Sequence, residues 1–542
     1  MPVSLTPGSL ARLLGEWNVG ASPAYRELAD VVRLLILDGR VGLDVALPSE
    51  RSLAATLGIS RTTVTAAYAL LREQGFLSGG QGSRSRSCIP SQGPAHAGGH
   101  DGVLRLSGAP GLAVPDGILD LAYASLPASG EVVHRAFASA LTELPALLPG
   151  FGYDALGVGP LREAIAGRYT AAGVPTTAAQ ILVTSGAQHA LNIVLRTLAG
   201  RSGTKVLVEH PSYPNALDAI RAAGCRPIPV AMPAARSAGH GPNGAGHNGA
   251  SHNGASHNGA GRKGAGQKGS VRNGPGTVGT ISHGQAGWDL EAMESALLQQ
   301  RPAMAYVVPD FHNPTGRLMP DSQRRRLVKA ATASGTVLVA DETLRELNLD
   351  GAVSTPMAAF SPAVVSLGSL SKSHWAGLRT GWIRASEQLI QRFAAARTVM
   401  DLGGPVVEQL AAAHLVNAMT EPLPDRLAEL RGNRDTLLEL IRAHLPGWDP
   451  EWPDGGLSVW CRLPTPISTA LAVVAPDFGI RLAAGPRFGV GGAFEQYLRL
   501  PFTLPPEQLE TAVLALRSAQ DRLDAAPQLR RNLQVPPAAA IA

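Results

Sequence analysis

Six short apolar segments, separated by stretches with helical spacing, constrain this chain more than any other feature. They are ILVT (181–184), KVLVE (205–209), RPIPVAM (226–232), MAYVVPD (304–310), TVLVADE (336–342) and VVSLGS (364–369). Strands alternating with helices from about Ile118 to Arg522 predict a mainly parallel sheet with helices on both faces. Residues 233–287 interrupt the alternation with three tandem pentapeptides, GHNGA, SHNGA and SHNGA (246–260), and further Gly-rich sequence. Such a segment cannot bury enough apolar surface to offset its ordering entropy. It reads as a disordered surface insertion in preference to a metal site, and residues 526–542 read as a disordered tail.

The 542 residues leave room for about three or four structural units, and a composition of 45% hydrophobic and 16% charged residues is that of a globular protein. No apolar run is long enough to span a membrane, and MPVSLTPGSLARLL lacks the plan of a signal peptide. Three scattered cysteines (Cys88, Cys225, Cys461) make neither a disulfide framework nor a cysteine zinc site. The expected compartment is the cytoplasm. The net charge of +5 is uninformative, because Arg236, Arg262, Lys263, Lys268 and Arg272 of the insertion account for all of it. Lysine is rare: Lys205, Lys263, Lys268, Lys329 and Lys372 are the only candidates for lysine-dependent chemistry.

Residues 1–83 read as a separate helical unit, joined by a Ser-, Pro-, Gly- and His-rich linker (84–117) to a body spanning 118–525. Pro23–Asp38 has apolar residues at helical spacing. Helices are expected after the N-caps Ser49 and Ser60, with a turn at Gly58-Ile59 between them. The second places Val64, Tyr68 and Leu71 on one face. Phe76-Leu77 and the loop Ser78–Ser83 suggest a wing hairpin. The span LPSERSLAATLGISRTTVTAAYALLREQGFL (47–77) is therefore a helix-turn-helix. Ser60, Arg61, Thr62 and Thr63 lie at the start of the second helix, where free N–H groups and hydroxyls hold phosphates and Arg61 reaches base edges. Arg51 suits a phosphate or groove contact, and Gln81-Gly82 at the wing tip suits the minor groove. The competing reading is a helical bundle that docks proteins. As one string, the span resembles the winged helix-turn-helix of the GntR family of bacterial regulators. That resemblance implies double-stranded DNA as partner, with Arg51, Ser60, Arg61, Thr62, Thr63, Gln81 and Gly82 as contacts.

The body offers, in order, the parts that pyridoxal phosphate chemistry needs. These are a lysine for the Schiff base, a carboxylate for the pyridine nitrogen, a phosphate cradle, a stacking ring and an arginine for a carboxylate. Lys372 follows Ser369-Leu370-Ser371 and precedes Gly377-Leu378-Arg379. Asp341 ends an apolar strand, at the sheet edge where ligands of open α/β sheets bind. Ser185, Gly186, Ala187 and Gln188 form a turn into a helix and so a phosphate-binding N-terminus. Tyr213 in EHPSYPNA can stack on the ring, Asn313 in HNPTG can donate to its hydroxyl, and Arg499 in YLRLPF is placed for an effector carboxylate.

Together these residues resemble the fold type I aminotransferases over about residues 118–520, including Tyr153, Gly159-Pro160-Leu161-Arg162 and Gly455-Gly456. The resemblance implies an α/β cofactor domain with a smaller C-terminal α/β lobe. Two departures stand out. A tyrosine usually lies two or three positions beyond the aspartate and bonds the ring oxygen; here Thr343 and Leu344 stand there, leaving Thr343 to take over part of that bond. Ala187 replaces a common phosphate-holding hydroxyl.

A GntR-like head on such a body resembles the MocR subfamily of bacterial transcription factors. This implies a cytoplasmic, head-to-tail homodimer in which Tyr153 reaches the other copy's phosphate, with pyridoxal phosphate, alone or condensed with an amino compound at Lys372, as effector. Two alternatives stand beside it: an active aminotransferase with an accessory DNA-binding domain, and a regulator that has lost its cofactor.

Overall fold

The computed structural model describes residues 5–14, 17, 23–37, 41, 45–74, 76–78, 85–87, 118–233, 287–351, 354–418 and 423–526. The expected linker apart from residues 85–87, nearly all of the 233–287 insertion, the tail beyond Ala526 and the expected wing tip Gln81-Gly82 lie outside these residues. Among the described residues, no helix is long and apolar enough to cross a membrane.

The head forms where its caps place it. Ser49 accepts from the Ser52 amide and begins the helix Glu50–Leu57, which ends at Gly58 in the left-handed region (φ 67°). Ser60 accepts from the Thr63 amide and begins Arg61–Glu73. The face carrying Val64, Tyr68 and Leu71 is buried against Leu28, Val32 and Leu35 of the helix Ala24–Leu37. A further helix, Pro7–Leu14, adds Leu10 and Leu14 to that core. Leu77–Ser78 pairs antiparallel with Arg86–Ser87, which gives the hairpin of a wing. The Tyr68 hydroxyl donates to the Pro48 carbonyl at 3.0 Å, and Arg72 reaches both Glu50 and Ser85, so the helix Arg61–Glu73 is tied to its neighbours.

The body is built on a seven-stranded sheet. Its spatial order is Ile181–Thr184, Gly381–Arg384, Val365–Ser369, Val337–Asp341, Met304–Val307, Lys205–His210 and Arg226–Ala231. All six expected strands are present. The seventh, Gly381–Arg384, is antiparallel to both of its neighbours and was not anticipated. Side chains alternate between two buried layers: Leu207, Ala305, Val307, Leu338 and Ala340 face one, and Val206, Val208, Met304, Tyr306 and Val339 the other. Helices cover both layers, as the alternation of elements requires. The smaller lobe has a four-stranded antiparallel sheet, ordered Asp449–Pro450, Ser458–Arg462, Tyr497–Pro501 and Ala483–Ala484. Leu423–His444, Ser468–Val474 and Pro506–Ala525 pack on it around a second core.

A charged cluster joins the head to this lobe. Arg522 donates to Asp30 at 3.2 Å and to Asp477 at 2.6 Å. Arg33 pairs with Asp30 at 3.0 Å, lies 3.7 Å from Asp477 and donates to the Val473 carbonyl at 3.0 Å. Burial raises the Asp30 carboxyl above its ordinary value, against the pull of Arg33.

A left-handed conformation costs a non-glycine residue about 1–2 kcal/mol, and Gly58 has open space around its missing Cβ. Gly58→Ala is therefore expected to destabilise the head by about that amount through backbone strain alone. Hydrogen exchange of the two flanking helices in the full chain measures it, and unchanged protection there would refute the assignment.

Candidate functional site

The carboxyl ends of the parallel strands open into a cavity of about 700 Å³. Strand Val337–Asp341 delivers Asp341 to it. One carboxylate oxygen accepts from the Tyr306 hydroxyl at 2.7 Å, and the other accepts from the Thr343 amide at 3.0 Å and the Thr343 hydroxyl at 2.5 Å. This corrects the expectation for Thr343. Its hydroxyl is committed to the aspartate and braces the carboxylate, so it is not a stand-in for the missing tyrosine. Burial, reinforced by Asp341, raises the Tyr306 hydroxyl well above the ordinary tyrosine range, so it remains a donor.

Lys372 follows the strand Val365–Ser369 and opens onto the same cavity. Its Nζ donates to the Ala124 carbonyl at 2.7 Å and lies 3.3 Å from the Ser125 hydroxyl. Arg426 holds both sides of this contact. It donates to the carbonyls of Ser373 and His374 beyond the lysine and to that of Pro127 beyond Ser125. Lys372 is half-buried by surface, since it lines the cavity, but sits deep in the protein. Desolvation, then the Arg499 charge, lowers its pKa to about 8, with Asp341 pulling the other way. A substantial neutral fraction at physiological pH is what a nucleophilic amine needs.

An anion cradle lies across the cavity. The helix Ala187–Leu198 starts at Gly186 (φ 94°), and Arg379 folds over that turn to donate to the Ser185 carbonyl at 2.9 Å. A Cβ on Gly186 would stand 2.9 Å from the Arg379 guanidinium, and one on Gly381 would stand 2.6 Å from the Gly186 carbonyl carbon. Backbone, guanidinium and helix N-terminus converge only because both positions are glycine. Ser371 lines the cavity, and its amide and hydroxyl are held by Ser369, which itself donates to the Thr380 carbonyl at 2.9 Å. Tyr213 forms part of the wall, and burial, with Asp341 nearby, raises its hydroxyl to about 12.

Whether this space suits a polar cofactor is answered by its buried polar atoms. Among the described residues, Gln188 Oε1, Asn313 Oδ1 and Arg499 Nε are buried without a hydrogen-bond partner, and all three residues line the cavity. A polar guest relieves that cost. Burial lowers Arg499 to about 10, against the Tyr213 hydroxyl.

Of the sequence-derived residues, Ala187, Gln188, Tyr213, Asn313, Asp341, Ser371, Lys372, Arg379 and Arg499 all line the one cavity. Gly186 and Ser369 support it from behind. Tyr153 does not reach it within the chain, being 78% exposed. The residues not anticipated are Tyr306, Tyr123, Ser125, Arg426 and Arg487. Tyr306 was in view as part of an apolar strand, with nothing to mark its hydroxyl as functional. In the head, Arg51, Ser60, Arg61 and Thr62 are exposed and Thr63 is half-buried, with the Ser60 hydroxyl 2.7 Å from Thr62 and 2.8 Å from Thr63.

Comparison with known proteins agrees with this division. Residues 24–86 match the family described as bacterial regulatory proteins, gntR family. Residues 153–240 and 276–516 match aminotransferase class I and II. The chain is 28% identical over 378 residues to a 2-aminoadipate transaminase of Thermus thermophilus, covering 67% of this chain and 79% of that protein. It is 25% identical over 483 residues to YisV, an uncharacterised HTH-type transcriptional regulator of Bacillus subtilis, covering 82% and 86% respectively. Among solved structures, it is similar to the α-aminoadipate aminotransferase LysN of Thermus thermophilus complexed with N-(5'-phosphopyridoxyl)-L-leucine. The TM-score is 0.61 at 26% identity, over 76% of this chain and 94% of that one.

The lysine gives a pH dependence with a definite sign. Because its folded pKa is depressed, the ammonium dominates below about pH 8 and the free amine above it. The rate at which pyridoxal phosphate loads onto the cofactor-free protein at Lys372 is expected to rise through a midpoint near pH 8, followed by visible absorbance with Lys372→Ala as blank. A midpoint near the ordinary lysine value of 10.5 would contradict it.

Proposed function

Since the chain belongs to the class I and II aminotransferase family and carries a gntR-family head, we propose that it is a pyridoxal phosphate-binding, DNA-binding transcriptional regulator. This is the architecture of MocR-like regulators. In this reading the body senses the cofactor, or the cofactor together with an amino compound, at Lys372. The head transmits the result to an operator in the cytoplasm.

The residues fit the cofactor. Arg379, Ser371 and the amides at the start of Ala187–Leu198 would hold its phosphate. Tyr213 would stack on the ring, Asn313 would donate to the ring oxygen, and Asp341, braced by Tyr306 and Thr343, would hold a proton at the ring nitrogen. Arg499 takes the carboxylate of the amino compound. When bound, the cofactor supplies an electrophilic carbon for Lys372 and an electron-withdrawing ring. The chain's own part is to orient these groups and to keep the lysine amine available.

The observation that carries the regulatory reading is the charged cluster of Asp30, Arg33, Asp477 and Arg522. It ties the head to the lobe that also bears Arg499. A ligand regulates only if it binds two arrangements unequally. A lobe that holds both the effector arginine and the head can couple the two.

Dimerisation is supported by exposed apolar side chains. Leu141, Leu148, Phe151 (98% exposed) and Tyr153 lie on one segment, and Val399 and Leu402 lie on another that reaches the first where Gly403 approaches Asp154. A monomer rarely leaves such a patch open. In a head-to-tail homodimer it is covered, and Tyr153 turns into the other copy's cavity. A second reading, transamination, is favoured by the braced Asp341 and the lowered Lys372. A working enzyme would turn over an amino-acid panel, whereas the regulator reading expects slow or no turnover.

Two outcomes test the proposal. Arg61→Ala is expected to weaken binding to the DNA upstream of the chain's own gene by about 1–3 kcal/mol while leaving the cofactor's absorbance intact. A mobility shift at stated salt measures this, and robust turnover without any specific DNA site would overturn the regulator. Phe151→Asp is expected to move the protein from dimer to monomer in sedimentation velocity; a wild-type monomer would refute the shared site.

A further inference from the structure

The turn that forms the anion cradle is held by a residue with no part in the roles assigned so far. His189, the third residue of the helix Ala187–Leu198, accepts at Nδ1 from the Ser185 amide at 3.1 Å. A backbone amide can only donate, so this Nδ1 carries no proton and the imidazole is neutral. The carbonyl of Ser185 is held separately, by Arg379 at 2.9 Å, and the Gly186 carbonyl accepts from the Thr184 hydroxyl at 3.0 Å. The same Nδ1 lies 3.6 Å from a carboxylate oxygen of Asp401. Asp401 is paired with Arg397 at 2.8 Å, and Arg397 also donates to the carbonyls of Ala155 and Val183.

We propose that His189 is a positioning residue for the cofactor phosphate: its neutral ring fixes the Ser185-Gly186 turn, and a proton on Nδ1 releases that turn in favour of Asp401. This rests on the reading that the cavity holds pyridoxal phosphate. The two partners exclude one another, because Nδ1 offers either a lone pair or a proton. Without the proton it accepts from Ser185. With it, the ring can only donate there, and Asp401 is the carboxylate beside it. The Ser185 amide then faces a second donor, and the half-buried turn loses the bond that sets its peptide plane.

The surroundings keep the ring in its accepting form. The charged groups that face it are Asp401, Arg397 and Arg379. Burial lowers the imidazole below its ordinary value of 6.5; Asp401 opposes this, and the two arginines add to it. The neutral form therefore prevails at physiological pH, and proton uptake is confined to acid conditions. The bond that holds the turn is complete above the ordinary value and is lost as pH falls through the lowered one. An imidazolium would also draw a phosphate by charge, which has the opposite sign. Asp401, beside the same nitrogen, weakens that attraction, so the loss of the held turn decides the direction.

The test is a titration of the full-length, cofactor-free protein with pyridoxal phosphate and with pyridoxal, which has the same aldehyde and no phosphate, followed by visible absorbance. The ratio of the two affinities isolates the phosphate, since Lys372 takes part equally in both. His189→Leu is expected to shrink the wild-type ratio about tenfold, the size of one hydrogen bond, and His189→Asn, whose amide oxygen can stand in for Nδ1, to keep it within about twofold. From about pH 7 to about pH 5 the wild-type ratio is expected to fall more steeply than that of His189→Asn, which shares the phosphate's own titration. Uptake of pyridoxal by both variants reports an intact cavity, and the pH comparison needs only the wild type and His189→Asn. A ratio in His189→Leu equal to that in His189→Asn would overturn the inference alone, as would parallel pH curves or a wild-type ratio that rises on acidification relative to His189→Asn. Failure of the wild type to take up either aldehyde would overturn the cofactor reading and the inference with it.

Discussion

Five neighbouring strands run in the same direction, and the candidate site depends on that more than on any single residue. Parallel pairing of Val365–Ser369, Val337–Asp341, Met304–Val307, Lys205–His210 and Arg226–Ala231 brings their carboxyl ends to one edge. Asp341, Lys372 and Tyr213 all emerge there. The reversed strand Gly381–Arg384 then returns Arg379 and Gly381 to the Gly186 turn at the same edge. A buried carboxylate fixes the neighbouring loop. Glu209 accepts from the Val308 amide at 2.8 Å and from the Trp288 indole, and lies 3.3 Å from His312. The loop that carries Asn313 thereby packs against a carboxylate that is itself bonded to the sheet.

The cluster between head and lobe obeys a different logic. Two aspartates and two arginines, with Asp30 and Arg33 almost fully buried, gain little net stability from being together because each charge has been removed from water. What they supply is selectivity of arrangement: a displaced head would leave buried charges uncompensated. That is a specificity of arrangement more than an addition to stability. That property suits a connection between a ligand site and a DNA-reading helix.

Much of this was legible in the chain. The caps Ser49 and Ser60 and the turn at Gly58 can be read because capping depends on a few adjacent residues. The six strands can be read because burial on both faces demands continuous apolar runs. Gly381–Arg384 escaped because GWIR is short and follows directly on the Gly377-Leu378-Arg379 motif. The groups that hold Lys372 in place could not be read at all, although Asp341 and Arg499, which shift its pKa, could. Ala124 and Ser125 meet the lysine, and Arg426 the carbonyls of Ser373 and His374 beside it, from distant parts of the chain and only in the folded state. Thr343 was placed correctly at the aspartate but given the wrong partner, since sequence separation cannot distinguish a bond to the carboxylate from a bond beyond it.

The central claim is that cofactor site and DNA-binding head are energetically coupled, and thermodynamic reciprocity tests it most directly. Operator affinity would be measured with and without saturating pyridoxal phosphate and amino compound, and ligand affinity with and without saturating operator. The account predicts that both change by the same factor, of about 5- to 150-fold. Normal binding at each site with neither affinity altered by the other would contradict it.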